Sequence, residues 1–145
     1  MAELELTARW EGGFRMRTDV RGFTIRSDEP PEYRGDDAGP TPTELFLASL
    51  ASCLGMSLVF AARKRGFELP DATVKVTGTY LGPRFQRIRV EVGSSHPRAE
   101  LVELLERAVR YCYVSNTLLT PPAMEFVVGG AEEAGGAEEV GGAEA

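Results

Sequence analysis

The residues with chemistry to offer are two thiols. Cys53 and Cys112 are the only cysteines among 145 residues, and each lies in a segment patterned as a helix. A free cysteine in an apolar helix ordinarily behaves as a small hydrophobe. Two of them in a chain read as cytosolic also admit a redox pair, in which one thiolate is oxidised to a sulfenic acid and the second thiol closes a disulfide. On the residues alone both readings stay open. Other chemistry is poorly supplied. His96 is the only histidine and stands before Pro97 at a helix entrance, where it reads as a surface or capping residue. A histidine-based triad would need it, and no nucleophile is placed beside it. No CxxC or HxxxH spacing offers a metal site, and no Gly-rich loop follows a strand in a phosphate- or dinucleotide-binding pattern. Neither a cofactor nor a metal is expected.

The elements that must position the thiols are legible in outline. Thr41, Pro42 and Glu44 have the form of an N-cap, a first helical residue and the third member of a capping box. The helix should run to about Arg65, with Arg63, Lys64 and Arg65 at the negative end of its dipole and Gly66 as terminator. Residues 45–62 of this helix carry no charge and come close to the length of a membrane span. Ser49, Ser52, Cys53, Gly55 and Ser57 interrupt the stretch, so a buried core helix is expected rather than a span. A helix that is apolar all round must be covered on every side, which a small monomer does poorly; this hints at a dimer. Leu101, Leu104, Leu105, Ala108, Val109 and Cys112 recur at helical spacing. They put the second thiol on the apolar face of a second helix opened by His96-Pro97. A short helical or turn-like continuation follows over 113–119, and Pro121-Pro122 stops it.

Around these helices lie strands. Residues 3–10 alternate Leu4, Leu6, Ala8 and Trp10 against Glu5, Thr7 and Arg9, a half-exposed strand, followed by a Gly12-Gly13 turn. Strands over 14–19 and 22–27 follow, then a Pro-, Gly- and acid-rich loop over 28–39, long enough to cover or line a site. Residues 70–81 and 85–92 form two strands joined through Gly82-Pro83, with Arg84, Arg87 and Arg89 facing solvent. A closing strand is expected over 124–128. Three strands, helix, two strands, helix, strand is an α+β order. One domain over 1–128 is expected, followed by a disordered acidic Gly/Ala/Glu tail over 129–145.

The formal net charge is −6, with five of the acids (Glu132, Glu133, Glu138, Glu139 and Glu144) in that tail. Removing those five leaves the body near −1, so no basic footprint for nucleic acid is present. The N-terminal MAELELTARW has no basic region followed by an apolar one, so no signal peptide is expected. A cytoplasmic protein without membrane or nucleic-acid partners is the expectation.

Two segments carry a resemblance. GPTPTELFLASLASCLGMSLVFAARKRG (39–66) and RAVRYCYVSNTL (107–118) together resemble the OsmC/Ohr family of thiol peroxidases. The shared features are the Pro-x-Glu-Leu helix start, the cysteine inside the helix and the Tyr-Cys-x-Val-Ser stretch. The strand order extends the likeness over most of 3–128. The resemblance implies an intertwined homodimer, with sheets wrapped around central helices and a site at the subunit interface. It implies Cys53 as the peroxidatic and Cys112 as the resolving cysteine. The substrates would be organic hydroperoxides, with hydrogen peroxide a further candidate, in oxidative or osmotic stress defence. An external dithiol, of the lipoyl type or another thiol, would reduce the resulting disulfide. The family's activating arginine lies in its N-terminal strands, where Arg15 and Arg17 are the candidates; Arg15 is chosen because it is nearer the Gly-Gly turn. The family's catalytic glutamate directly follows the proline of the helix start, whereas here Thr43 does, and the acid is Glu44. On a helix that shift turns a side chain by about 100°, so Glu44 is read both as a helix cap and as an arginine-orienting group. A small-molecule-binding dimer with weak or no peroxidase activity is the alternative, and a structural dimer with inert thiols a third reading.

Overall fold

The computed structural model describes residues 1–129 and the backbone of Glu138–Val140. In chain order these form β1 (Ala8–Trp10), β2 (Met16–Val20), β3 (Phe23–Ser27), a 3-10 turn (Pro31–Tyr33), α1 (Pro42–Lys64), β4 (Thr73–Leu81), β5 (Arg84–Gly93), α2 (Arg98–Tyr111), α3 (Tyr113–Leu119), β6 (Phe126–Val128) and β7 (Glu138–Val140). The architecture is α+β, with antiparallel sheets β1-β2-β3, β4-β5 and β6-β7. Apart from Gly129 and β7, which pairs with β6, the 129–145 tail and the expectation of disorder there lie outside the described residues.

Helix α1 starts where its sequence says it should. The Thr41 side chain accepts the Glu44 N–H and the Glu44 carboxylate accepts the Thr41 N–H, a complete capping box, which typically stabilises a helix by about 1 kcal/mol. At the other end Gly66 takes a positive φ of 86°. The Gly66 N–H reaches the Arg63 carbonyl at 3.0 Å and the Phe67 N–H the Ala62 carbonyl at 3.3 Å, which satisfies carbonyls the helix leaves without partners. One face of α1, through Leu50, Leu54, Leu58, Ala61 and Ala62, is buried in the core. The opposite face is not covered by this chain: Met56 is 73% exposed, and Phe60 is also exposed. Among the described residues α1 is the one helix long and apolar enough to cross a membrane, and a third of its most apolar window is buried inside the chain.

Against the buried face of α1 lie the β4–β5 hairpin and α2. Val74 pairs with Val92 and Val76 with Val90, and these side chains, with Ile88, meet the core, while Arg84, Arg87 and Arg89 are exposed. The hairpin also grips the first turn of α1. The Phe85 ring packs on Tyr80 and Phe46 at centroid distances of 4.6 and 5.9 Å, and the Tyr80 hydroxyl donates to Thr43 Oγ1 at 3.0 Å. Gly78 makes room for this cluster, since a Cβ there would sit 2.4 Å from the Phe85 ring. From α2, Leu104 and Ala108 are fully buried, as is Cys112 at its end. Positions i, i+4 and i+8 form one stripe on a helix, so the stripe that seats α2 on α1 also seats Cys112.

The N-terminal sheet differs from expectation at its start. Residues 3–7 alternate like a strand, but the ladder begins only at Ala8, paired with Thr18, and Leu4 and Leu6 are exposed. Alternation provides a face, while a strand also needs a partner for its backbone. Arg21 and Gly22, both at positive φ (50° and 86°), make the tight turn favoured between antiparallel strands. Among the described residues this sheet has no extensive packing against the helices of its own chain.

Candidate active site

Cys53 stands about three turns into α1, partly exposed, and lines a cavity of about 880 Å³ between α1 and the α2–α3 segment. Met56, Ser57 and Phe60 follow it on the same helix face at i+3, i+4 and i+7 and line the same space. The far wall comes from Arg110 and Tyr111 of α2 and Tyr113 of α3. Phe60 and Tyr111 meet edge to face at 5.2 Å, and the Lys64 ammonium sits over both rings at 4.7 and 5.2 Å, the attraction of a cation for an aromatic face. The lining is mainly apolar and aromatic, with Ser57, Asn116, Thr117 and Thr120 its polar side chains and Arg110 its charged one.

Cys112 is fully buried at the joint between α2 and α3. Its N–H closes α2 on the Ala108 carbonyl at 3.1 Å. Its sulfur accepts the Ser115 N–H at 3.5 Å and so caps α3, while the Ser115 hydroxyl donates to the Cys112 carbonyl at 3.2 Å. Cys53 packs against the buried cluster that contains Cys112, and both cysteines are free. Burial pushes the Cys112 thiol up, but the Ser115 hydroxyl and N–H, the Cys53 thiol and the Val114 N–H outweigh it and hold it below its ordinary value. Hydrogen bonds to the charged form favour that form. The arrangement can do dithiol chemistry: one sulfur opens to a cavity, and a second, buried in the packing that Cys53 joins, lies behind it.

Of the four residues singled out from sequence, the fold brings Cys53 and Cys112 together and holds Arg15 and Glu44 elsewhere. The Arg15 guanidinium pairs with the Asp36 carboxylate and donates to the Glu11 carbonyl at 3.3 Å. Arg17 pairs with Asp19 at 3.1 Å. The Glu44 carboxylate is engaged with the Thr41 N–H at 2.7 Å. Neither Arg15 nor Glu44 lines the cavity beside Cys53. The guanidinium that does is Arg110, which the sequence reading passed over; it stands two residues before Cys112, a position from which a helix end can reach the same space. Met56 and Phe60 were also legible, by helical spacing from Cys53.

The 28–39 loop folds on itself rather than over the thiols. Asp28, 1% exposed, accepts the N–H groups of Glu29, Asp36 and Ala38 at 2.8, 3.1 and 3.1 Å. Burial pushes its carboxyl up, and these three donors, with the Arg15 charge, hold it below the usual carboxylate range. This knot fixes Asp36 where Arg15 finds it. Among the described residues no group of three or more His, Cys, Asp or Glu side chains is placed to hold a metal ion.

The comparisons with known proteins agree with this architecture. Solved structures similar to the chain include an OsmC-like protein from Mycoplasma pneumoniae (20% identity, TM-score 0.68, covering 83% of this chain and 89% of that one). An OsmC-like protein of unknown function from Vibrio cholerae is 19% identical, with a TM-score of 0.63 over 81% of this chain and 94% of that one. An organic hydroperoxide resistance protein OsmC from Legionella pneumophila is 20% identical, with a TM-score of 0.57 over 81% and 91%. At these identities the likeness carries the fold. No curated protein sequence matches the chain. The family model described as OsmC-like protein matches residues 35–127, a span that includes both cysteines and every residue lining the cavity beside Cys53: the chain belongs to the OsmC-like family.

Proposed function

We propose that this protein is a thiol-dependent hydroperoxide reductase acting on organic hydroperoxides. The observation that carries the reading is the division of labour between the sulfurs: Cys53 opens to an apolar cavity, and Cys112 is buried against it. The Cys53 thiolate attacks the terminal peroxide oxygen and the O–O bond breaks, so that sulfur is oxidised to a sulfenic acid and the departing alkoxide takes a proton from water to leave as the alcohol. Cys112 then attacks the Cys53 sulfur and displaces hydroxide, closing a disulfide. An external dithiol reopens it by exchange. An apolar, aromatic lining suits an organic peroxide, and a stress-defence role in the cytoplasm, where thiols are kept reduced, follows from the same chemistry.

The working unit in this reading is a homodimer. It is supported by the uncovered face of α1, with Met56 and Phe60 exposed, and by an N-terminal sheet that packs little on its own helices. Substituting Phe60→Glu would then give a smaller particle by light scattering. A second reading, a small-molecule-binding dimer with weak or no turnover, is favoured by the engagement of Arg15 with Asp36 and of Glu44 with Thr41. Peroxide consumption with dihydrolipoamide as reductant separates the two. Wild-type protein turns over cumene hydroperoxide and Cys53→Ser does not; equal rates for both would remove Cys53 from the mechanism.

A further inference from the structure

Resting on the thiol-peroxidase reading, we infer that the Phe60–Tyr111 end of the Cys53 cavity is a subsite for a carboxylate, with Arg110 as its anchor and Lys64 as a second cation. The preferred substrate is then a hydroperoxide whose chain carries an acid group well away from the peroxide. Arg110 and Lys64 determine that specificity; they take no part in the sulfur chemistry.

The cavity is polarised along α1. At 1.5 Å per residue, Phe60 lies about 10 Å and Lys64 about 16 Å beyond Cys53 along the helix axis. Tyr111 meets the Phe60 ring at 5.2 Å, and the Lys64 ammonium rests over both rings at 4.7 and 5.2 Å. Arg110 stands beside Tyr111 on α2 and lines the same space. Two cations from two helices thus meet at one aromatic pair. Neither has an ion-pair partner among the described residues, whereas Arg63 and Arg65 are taken by Glu68 and Glu103. The adjoining cleft is bordered by Glu103, Glu106 and Arg107. With Glu103 held by Arg65, and Glu106 and Arg107 of opposite sign, the excess charge at this end is positive. No acidic side chain lines the Cys53 cavity among the described residues. The Arg110 backbone is also tied down, since its carbonyl accepts the Asn116 side-chain N–H from α3 at 3.3 Å. A ligand chain lying on Met56 and Phe60 removes apolar surface from water. A carboxylate at its end meets a guanidinium whose fork matches its two oxygens. The neutral ester of the same chain gains the first and not the second.

Matched substrates test this on the full chain, with saturating dihydrolipoamide, an uncharged reductant. The wild type has a higher kcat/KM for linoleic acid hydroperoxide than for its methyl ester. Arg110→Gln lowers the acid-to-ester ratio about fivefold or more, the scale of a charged hydrogen bond at a partly exposed site. The loss sits in KM, because a contact remote from the peroxide is the same in ground and transition states. Arg110→Lys restores part of the ratio, and added salt lowers the rate with the acid but not with the ester. Arg87→Gln, exposed on β5, leaves the ratio unmoved and so controls for net charge. Decanoate titrated into Cys53→Ser by calorimetry reads the subsite without turnover, and Arg110→Gln weakens it by a similar factor. Equal kcat/KM for acid and ester in the wild type, or a ratio unmoved by Arg110→Gln, overturns the subsite. Cumene hydroperoxide, which carries no acid, separates the two claims. Its turnover without any preference for the acid overturns the subsite alone, whereas no turnover of any of the three peroxides removes the peroxidase reading and this substrate with it.

Discussion

Leu104→Ala tests how the fold holds the thiol pair together. Leu104 is fully buried, one turn before the equally buried Ala108 and two before Cys112. The substitution deletes three buried carbons. At about 0.8 kcal/mol per buried methylene the transfer loss is about 2.4 kcal/mol. The cavity left behind adds to it, for a total of about 3 kcal/mol within the usual range of roughly 2–5 kcal/mol. For a chain of this size each kcal/mol moves the melting temperature by about 3–4 °C, so a fall of about 10 °C is expected. The assay is thermal unfolding of the reduced protein by circular dichroism, at one fixed protein concentration because subunit association contributes to stability. Val102→Ala on the same helix, 48% exposed, is the control and should change little. The two effects should differ several-fold. Equal shifts would refute the account of the Leu104–Ala108–Cys112 stripe as the seat of α2 on α1. Because that stripe also sets where Cys112 lies, Leu104→Ala should slow disulfide closure even at temperatures where the variant stays folded.

Two further outcomes follow from the loop and the cap. Asp28 has a folded pKa below its unfolded value of about 3.8, so it adds stability above that value, and the contribution is lost as pH falls through the folded pKa. Asp28→Asn should remove this part of the acid dependence and speed proteolysis within 28–39; an unchanged acid limb in its unfolding curve would contradict the three-donor knot. Thr41→Ala should cost about 1 kcal/mol in denaturant unfolding, while Glu44→Gln, which can still accept the Thr41 N–H, should cost less; the opposite order would argue against the capping box.

Much of this was legible because it is local. The start of α1 is specified by three neighbouring residues, Thr41, Pro42 and Glu44, and its end by Gly66, so both boundaries could be read directly. The β4–β5 hairpin follows from two alternating segments and a short turn, but its register does not, because a bulge between Thr79 and Tyr80 shifts it by one residue before Val76 meets Val90. What could not be read depends on where distant backbone goes. Asp28 looks like one acid among several in a polar loop, and only folding brings the amides of Asp36 and Ala38 to it. Arg15 looks free until that knot sets Asp36 beside it. The capping of α3 by the Cys112 sulfur depends on a backbone bend at one residue, which a helical hydrophobic pattern running through 101–112 does not announce.

The central claim is that Cys53 and Cys112 form one redox unit. It is tested most directly by adding one equivalent of cumene hydroperoxide to the fully reduced protein and mapping its thiols by peptide mass spectrometry under non-reducing conditions. The account predicts loss of both thiols with formation of a Cys53–Cys112 disulfide within one chain, and a trapped Cys53 sulfenic acid in Cys112→Ser. Retention of both free thiols in the wild type would contradict it.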